Sequence, residues 1–222
     1  MPDADGLPAL PLAVALAATA GWVDAVGYLH FAHVFVSFMS GNSTILGIAV
    51  GQANWGQALS PLLAIAFFVL GSFIGSFLRG SADAWRVPAI LSFEATVLIV
   101  ALALPERAGE LAPALALLAS AMGAQNAVMR EVGGVRVSLT YVTGALVNLG
   151  QSLAEAVLRR DAPSGWSVHA IMWIGLIAGG VGGGFTYLHA GFDALAVPTV
   201  ALIALGSLET LLVVRSRRPT PL

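Results

Sequence analysis

Six apolar runs, at about 9–30, 60–79, 88–104, 112–130, 168–188 and 194–214, each have a length that crosses a hydrocarbon core. Only 10% of the 222 residues are charged, and the mean hydropathy is +0.87. A soluble domain carries about 25% charged residues, so this chain cannot wet a globular surface and is expected to lie in a lipid bilayer. In lipid, every backbone N–H and C=O must find its partner within the protein, and an open segment achieves this only as a helix. The expected fold is therefore all-α, a polytopic membrane helix bundle forming a single membrane domain over 1–222. Proline or glycine marks the run starts, at Pro8 and Pro11, Pro61, Pro88, Pro113, Gly165 and Pro198. Ala18-Thr19-Ala20 resembles a signal cleavage site, but Asp3 and Asp5 precede it without a cation, so an uncleaved first span is expected.

Two further segments, about 34–51 and 137–158, are helical by pattern but too polar to face lipid all round. Ser37, Ser40, Gly41, Asn42, Ser43 and Thr44 crowd the first; Ser138, Thr140, Tyr141, Thr143, Asn148, Gln151, Ser152 and Glu155 lie along the second. Each is either a full span buried in the bundle or a short re-entrant or broken helix. Arginine placement favours the latter. With eight crossings, the cations divide almost evenly between the two sides. With six, Arg79, Arg86, Arg130, Arg136, Arg159, Arg160, Arg215, Arg217 and Arg218 share one side, and only Arg107 lies opposite. Six full spans plus two polar short helices are expected, both termini cytoplasmic; the alternative is eight spans with parallel halves.

The chain also repeats itself. Gly21, Asp24, Ala25 and Val26 correspond to Gly123, Asn126, Ala127 and Val128 at a spacing of 102. Ser40, Gly41, Leu46 and Gly47 correspond to Thr143, Gly144, Leu149 and Gly150 at 103, and Gly71, Gly75 and Phe77 to Gly179, Gly183 and Phe185 at 108. Repeat 1 spans 9–104 and repeat 2 spans 112–214. With three crossings per copy, the second copy enters from the opposite face, an inverted repeat of the kind on which many transporters are built. Gly71 with Gly75, and Gly175 with Gly179 and Gly183, form small-residue stripes suited to close helix contact between the halves. They also make a homodimer conceivable.

Asp24 lies well inside the first run, where an acid costs about 2.5–3.5 kcal/mol unless neutralised, paired or wetted. It is a candidate coupling-ion or substrate site, and its counterpart Asn126 cannot titrate. Ser40, Gly41 and Asn42, with Thr143 and Gly144, are expected to meet near the midplane, where glycine lets backbone unwind and the polar groups bind a solute. Gln125 is a candidate partner for Asp24, Asn148 extends the polar face beyond Thr143, and Glu94 is the better-buried of two further acids. His30 and His33 read as interfacial rather than metal-binding. Zero Cys excludes disulfides and thiolate metal sites. The net charge of -2 argues against nucleic acid. No zinc-protease, P-loop or nucleophile-elbow motif is present, so neither an enzyme nor a cofactor is expected.

Gly21, Asp24 and Ala25, then Ser40-Gly41-Asn42, then Gly123-Ala124-Gln125-Asn126-Ala127 before Thr143-Gly144, together resemble the YoaK-like family of small bacterial membrane proteins of unknown function. Ser40 stands where that family commonly has Thr. The resemblance covers essentially the whole chain and implies a bacterial inner-membrane location with about six spans. A small secondary transporter or facilitator for a small polar or cationic solute, proton-coupled through Asp24, is the leading expectation. Its rivals are a passive channel and a non-transporting membrane subunit or assembly factor.

Overall fold

Helix starts and stops follow local chemistry more closely than the hydropathy runs do. In a computed structural model, which describes residues 8–81, 84–104, 112–128, 131–132, 135–136, 142–158 and 166–217, eight α-helices are present among those residues. They are α1 (Ala9–His30), α2 (Met39–Gly51), α3 (Trp55–Ser81), α4 (Arg86–Ala103), α5 (Ala112–Gln125), α6 (Val142–Val157), α7 (Trp166–Ala190) and α8 (Ala196–Ser216). A 3-10 turn, Gly191–Leu195, joins the last two. One two-residue antiparallel pair, Glu131 opposite Arg136 and Val132 opposite Val135, departs from the all-α expectation.

Three boundaries differ from those expected. Helix α3 begins at Trp55 rather than near Pro61, because the Asn54 side chain accepts a hydrogen bond from the Gln57 N–H (3.2 Å) and caps an extra turn and a half. Helix α5 stops at Gln125 rather than 130. The Asn126 amide donates to the Met122 carbonyl (2.9 Å), and the backbone tightens through Ala127 N–H to Ala124 O (2.9 Å). The first polar segment is helical only from Met39, with 31–38 irregular. Within the second, 137–141 lie outside the described residues, as do Arg107, Arg130, Arg159, Arg160 and Arg218.

Among the described residues, four stretches have the length and apolarity to cross a membrane: Ala9–His30, Trp55–Leu78, Arg86–Ala103 and Trp166–Ser216, the last containing both α7 and α8. Large apolar side chains face outward along them. Phe73 and Val181, spaced 108 apart, are 68% and 67% exposed, and Phe77 and Phe185 are 70% and 66% exposed. Such a surface is stable against lipid and not against water. This is a helical membrane protein.

Packing is organised by two parallel helix pairs, α1 with α7 and α3 with α5. In each, glycine removes the Cβ that would separate the backbones. A Cβ at Gly179 would overlap the Ala18 carbonyl, and one at Gly71 would overlap the Ser120 carbonyl. From the other side, a Cβ at Gly21 would strike the Leu176 carbonyl, and one at Gly123 the Phe68 carbonyl. At Gly183 it would lie 2.6 Å from the Trp22 carbonyl oxygen, and at Gly75 2.7 Å from that of Ala124. Each of these three contacts in one pair has its counterpart in the other at spacings of 102 and 108. The stripes are thus occupied within the chain, between the two halves, which withdraws them as the surface of a homodimer. Helix α4 packs on α8, α5 and α3; α2 lies on α3, and α6 on α7.

Gly179→Ala and Gly71→Ala should each destabilise the detergent-solubilised protein by about 1–3 kcal/mol, the usual cost of overpacking. Gly47→Ala, with nothing within 4 Å of the added methyl, should leave the thermal midpoint unchanged or raise it slightly.

Candidate functional site

After His30 the chain turns back on its own helix. The His33 N–H reaches the Tyr28 carbonyl (3.0 Å), a six-to-one helix stop in which Ala32 and His33 take positive φ values of 51° and 69°. Neither residue is glycine, so the stop stores backbone strain of about 1–3 kcal/mol per residue. The chain then descends beside α1. The Phe35 ring lies 4.7 Å from that of Tyr28, and two residues later the backbone arrives at Asp24.

Asp24 is an acceptor three times over. It takes the Val36 N–H (2.8 Å) and the Ser37 N–H (2.7 Å) on Oδ1, and the Ser37 hydroxyl on Oδ2. Gly27 makes room for this approach, since a Cβ there would lie 2.9 Å from the Val36 side chain. Asn42, fully buried, closes the loop: Oδ1 accepts the Phe35 N–H (3.0 Å) and Nδ2 donates to the Phe35 carbonyl (2.7 Å). Residues 35 and 42 can share two hydrogen bonds only if the chain reverses at 36–38. The segment from 31 to 37 therefore runs back along α1 to Asp24, and α2 follows, its 13 residues rising about 20 Å against α3. An open groove flanks the turn, lined by Tyr28, His33, Phe35 and Phe38 with Ser40, Gly41 and Thr44 at its side. Ser40 and Thr44 are exposed, and Gly41 is half-buried beneath the Phe38 ring.

The remaining candidate residues lie elsewhere. Gln125 is completely buried and donates through Nε2 to the Leu16 carbonyl (2.6 Å), while its Oε1 has no partner. Leu16 precedes Asp24 by eight residues, about 12 Å along α1. The expected pairing of Gln125 with Asp24 is therefore corrected: Gln125 crosses α1 a third of the way up, and Asp24 binds the folded-back turn near the top. Asn126 turns its amide onto its own helix at Met122. Thr143 is exposed and Gly144 half-buried on α6, whose packing partner is α7. Asn148 meets the buried His169 ring (Nδ2 to Nε2, 3.1 Å), tying α6 to α7. Glu94 is fully buried in α4, and neither carboxylate oxygen has a partner among the described residues. The single midplane pocket expected from Asp24, Ser40, Asn42, Gln125, Asn126 and Thr143 thus resolves into separate environments.

Two contributors were not expected. Ser37 supplies two of the three bonds to Asp24, and its position thirteen residues on, beyond a helix stop, gives no periodic signal. Trp22 donates its indole N–H to the Ala194 carbonyl (3.0 Å), fastening the 3-10 turn to α1. His30 sits against Phe192, ring centroids 4.3 Å apart, at the same end of the bundle.

An unsatisfied buried donor costs about 1–3 kcal/mol. Asp24→Ala orphans the Val36 and Ser37 amides, so it should cost more than ~2 kcal/mol and speed hydrogen exchange at both. Asp24→Asn keeps a carbonyl for those amides and should cost less than ~1 kcal/mol. Equal losses in the two variants would contradict the anchoring role.

Residues 12–208 match a family described as a protein of unknown function, DUF1275. The chain is 36% identical over 197 residues to the UPF0700 transmembrane protein RA0705 of Rhizobium meliloti, covering 88% of this chain and 84% of the relative. It is 34% identical over 145 residues to the UPF0700 transmembrane protein YoaK of Bacillus subtilis, covering 63% of this chain and 64% of the relative. No solved structure matches the chain. The YoaK-like resemblance in its motifs is therefore one of common membership: this chain belongs to the DUF1275 family of transmembrane proteins.

Proposed function

We propose that this protein is a small membrane carrier or facilitator for a small polar or cationic solute. The observation that carries the proposal is the interrupted segment 31–51, held at depth by Asp24 and Asn42 beside an open groove. Non-helical backbone within a bilayer is tolerated where it is buried in protein or lines a cavity, and transporters place their sites at such breaks. Four aromatic or imidazole rings with two hydroxyls suit a small organic cation, since aromatic faces attract cations.

The architecture we propose is an inverted pair of repeats, 9–104 and 112–214, with six crossings, short folded-back helices α2 and α6, and both termini at the cytoplasmic face of a bacterial inner membrane. Two observations support it. The turn at 36–38, closed by the two bonds between Phe35 and Asn42, is what a folded-back α2 needs. The Gln125 bond to Leu16 favours opposed directions for α1 and α5. Were the halves parallel, position 125 would lie level with its counterpart Val23, seven residues or about 10 Å from Leu16. The glycine contacts matched at 102 and 108 support the duplication itself. In this reading Asp24 is an anchor of the site, not its coupling group.

The test is solute uptake into proteoliposomes. A carrier should move at least one small amine or neutral polar solute above the empty-vesicle rate. Thr44→Trp, which fills the groove, should cut that rate at least tenfold without changing the thermal midpoint, and Asp24→Asn should retain most of it. Uptake that never exceeds empty vesicles would favour a non-transporting subunit; uptake without saturation would favour a channel.

A further inference from the structure

Glu94 lies in the middle of the buried stripe of α4, with Ile90, Leu91, Leu98 and Ala101 above and below it, all completely buried. Its two oxygens are enclosed and meet no donor among the described residues. Glu155 on α6 also has one enclosed oxygen without a partner among the described residues, but it is only half-buried; the other acids buried in the bundle are accommodated differently. Asp24 accepts three bonds, and Glu209, 3% exposed on α8, has an interaction of its own. The charged or titratable residues on elements packed against α4 are few: Arg79 on α3, the exposed Asp193 in the 3-10 turn, and Glu209 and Arg215 on α8. Helix α5 contributes none over Ala112–Gln125, and Arg86 on α4 itself stands eight residues, about 12 Å, away.

An ionised carboxylate with no partner cannot persist in such a place, because its lost hydration costs many kcal/mol. A neutral acid with unmade hydrogen bonds still packs less well than leucine would, so stability does not account for glutamate at this position. We propose that Glu94 is a proton-binding site at the centre of the bundle, loaded in the arrangement described here and unloaded in a second arrangement that brings water or a cation to its oxygens. This deepens the carrier reading and rests on it for its purpose, since a proton bound in one state and released in another is what couples a solute to a proton gradient. Its test requires no transport.

Infrared spectra of the reconstituted protein, titrated from mildly acid to mildly alkaline pH without solute, should contain the carbonyl stretch of a protonated carboxylic acid in an apolar setting. The band should fade reversibly as pH rises, vanish in Glu94→Gln, and shift in Glu94→Asp. Glu94→Leu should fold with a thermal midpoint no lower than that of the unaltered protein, which secures the assignment should the glutamine variant fold poorly. Absence of the band at every pH would mean an ionised side chain, and a band that never titrates would mean a permanently neutral one. Either result overturns the proposal, whereas loss of uptake alone would fault the carrier reading and leave this site standing.

Discussion

Close approach of backbones at α1 with α7, and at α3 with α5, is the constraint on which everything else in this protein depends. Lipid offers little hydrophobic drive for helices to associate, so cohesion comes from dispersion across surfaces that fit. Here the fit is made by glycine at 21, 71, 123 and 179, where each missing Cβ admits a carbonyl from the facing helix. Because the pairs cross between the halves, neither half has a complete core alone. Ser120 adds a hydroxyl bond to the Phe67 carbonyl (3.2 Å) across one pair, and Trp22 lays its ring over Gly182 in the other.

On that scaffold the polar side chains divide by the work they do. Asp24, Ser37 and Asn42 spend their hydrogen-bonding capacity on the backbone of one folded-back turn, which otherwise would carry orphaned amides into an apolar setting. Gln125 fastens α5 to α1, and Asn148 with His169 fastens α6 to α7. Among the described residues, the enclosed carboxyl of Glu94 has neither oxygen committed, and Gln125 and Glu155 each keep one oxygen without a partner. The strained stop at Ala32 and His33 directs the chain out of α1 and back along its side.

Much of this was legible in the residues themselves. Glycine spacing pointed to the helix contacts, because small residues at intervals of four have few other uses in a membrane helix. The burial of Glu94 was also readable, since isolated acids are costly in lipid, whereas the unwinding expected at Gly41 is not there: Ser40, Gly41 and Asn42 lie in the regular helix α2, and the irregular stretch precedes it at 31–38. Partners were not. Asp24 looked like a free acid because its three donors, two of them backbone amides, come from a turn that no periodicity announces. Gln125 and Asp24 looked like partners because both belong to the matched motif, yet Gln125 reaches the Leu16 carbonyl, eight residues before Asp24 on α1. Pro61 marked a helix start that the Asn54 cap displaced upstream.

The central claim is that the two halves are opposed in direction, with α2 folded back rather than crossing. The chain has no native cysteine, so single introduced thiols report without background. Gln52→Cys, in the exposed connection between α2 and α3, and Ala84→Cys, in the turn between α3 and α4, lie on opposite sides in either arrangement but exchange sides between them. With a membrane-impermeant maleimide on intact cells, opposed halves predict labelling at 52 and none at 84 until the membrane is permeabilised. Labelling at 84 and protection at 52 would mean parallel halves with α2 crossing fully, and would contradict the account.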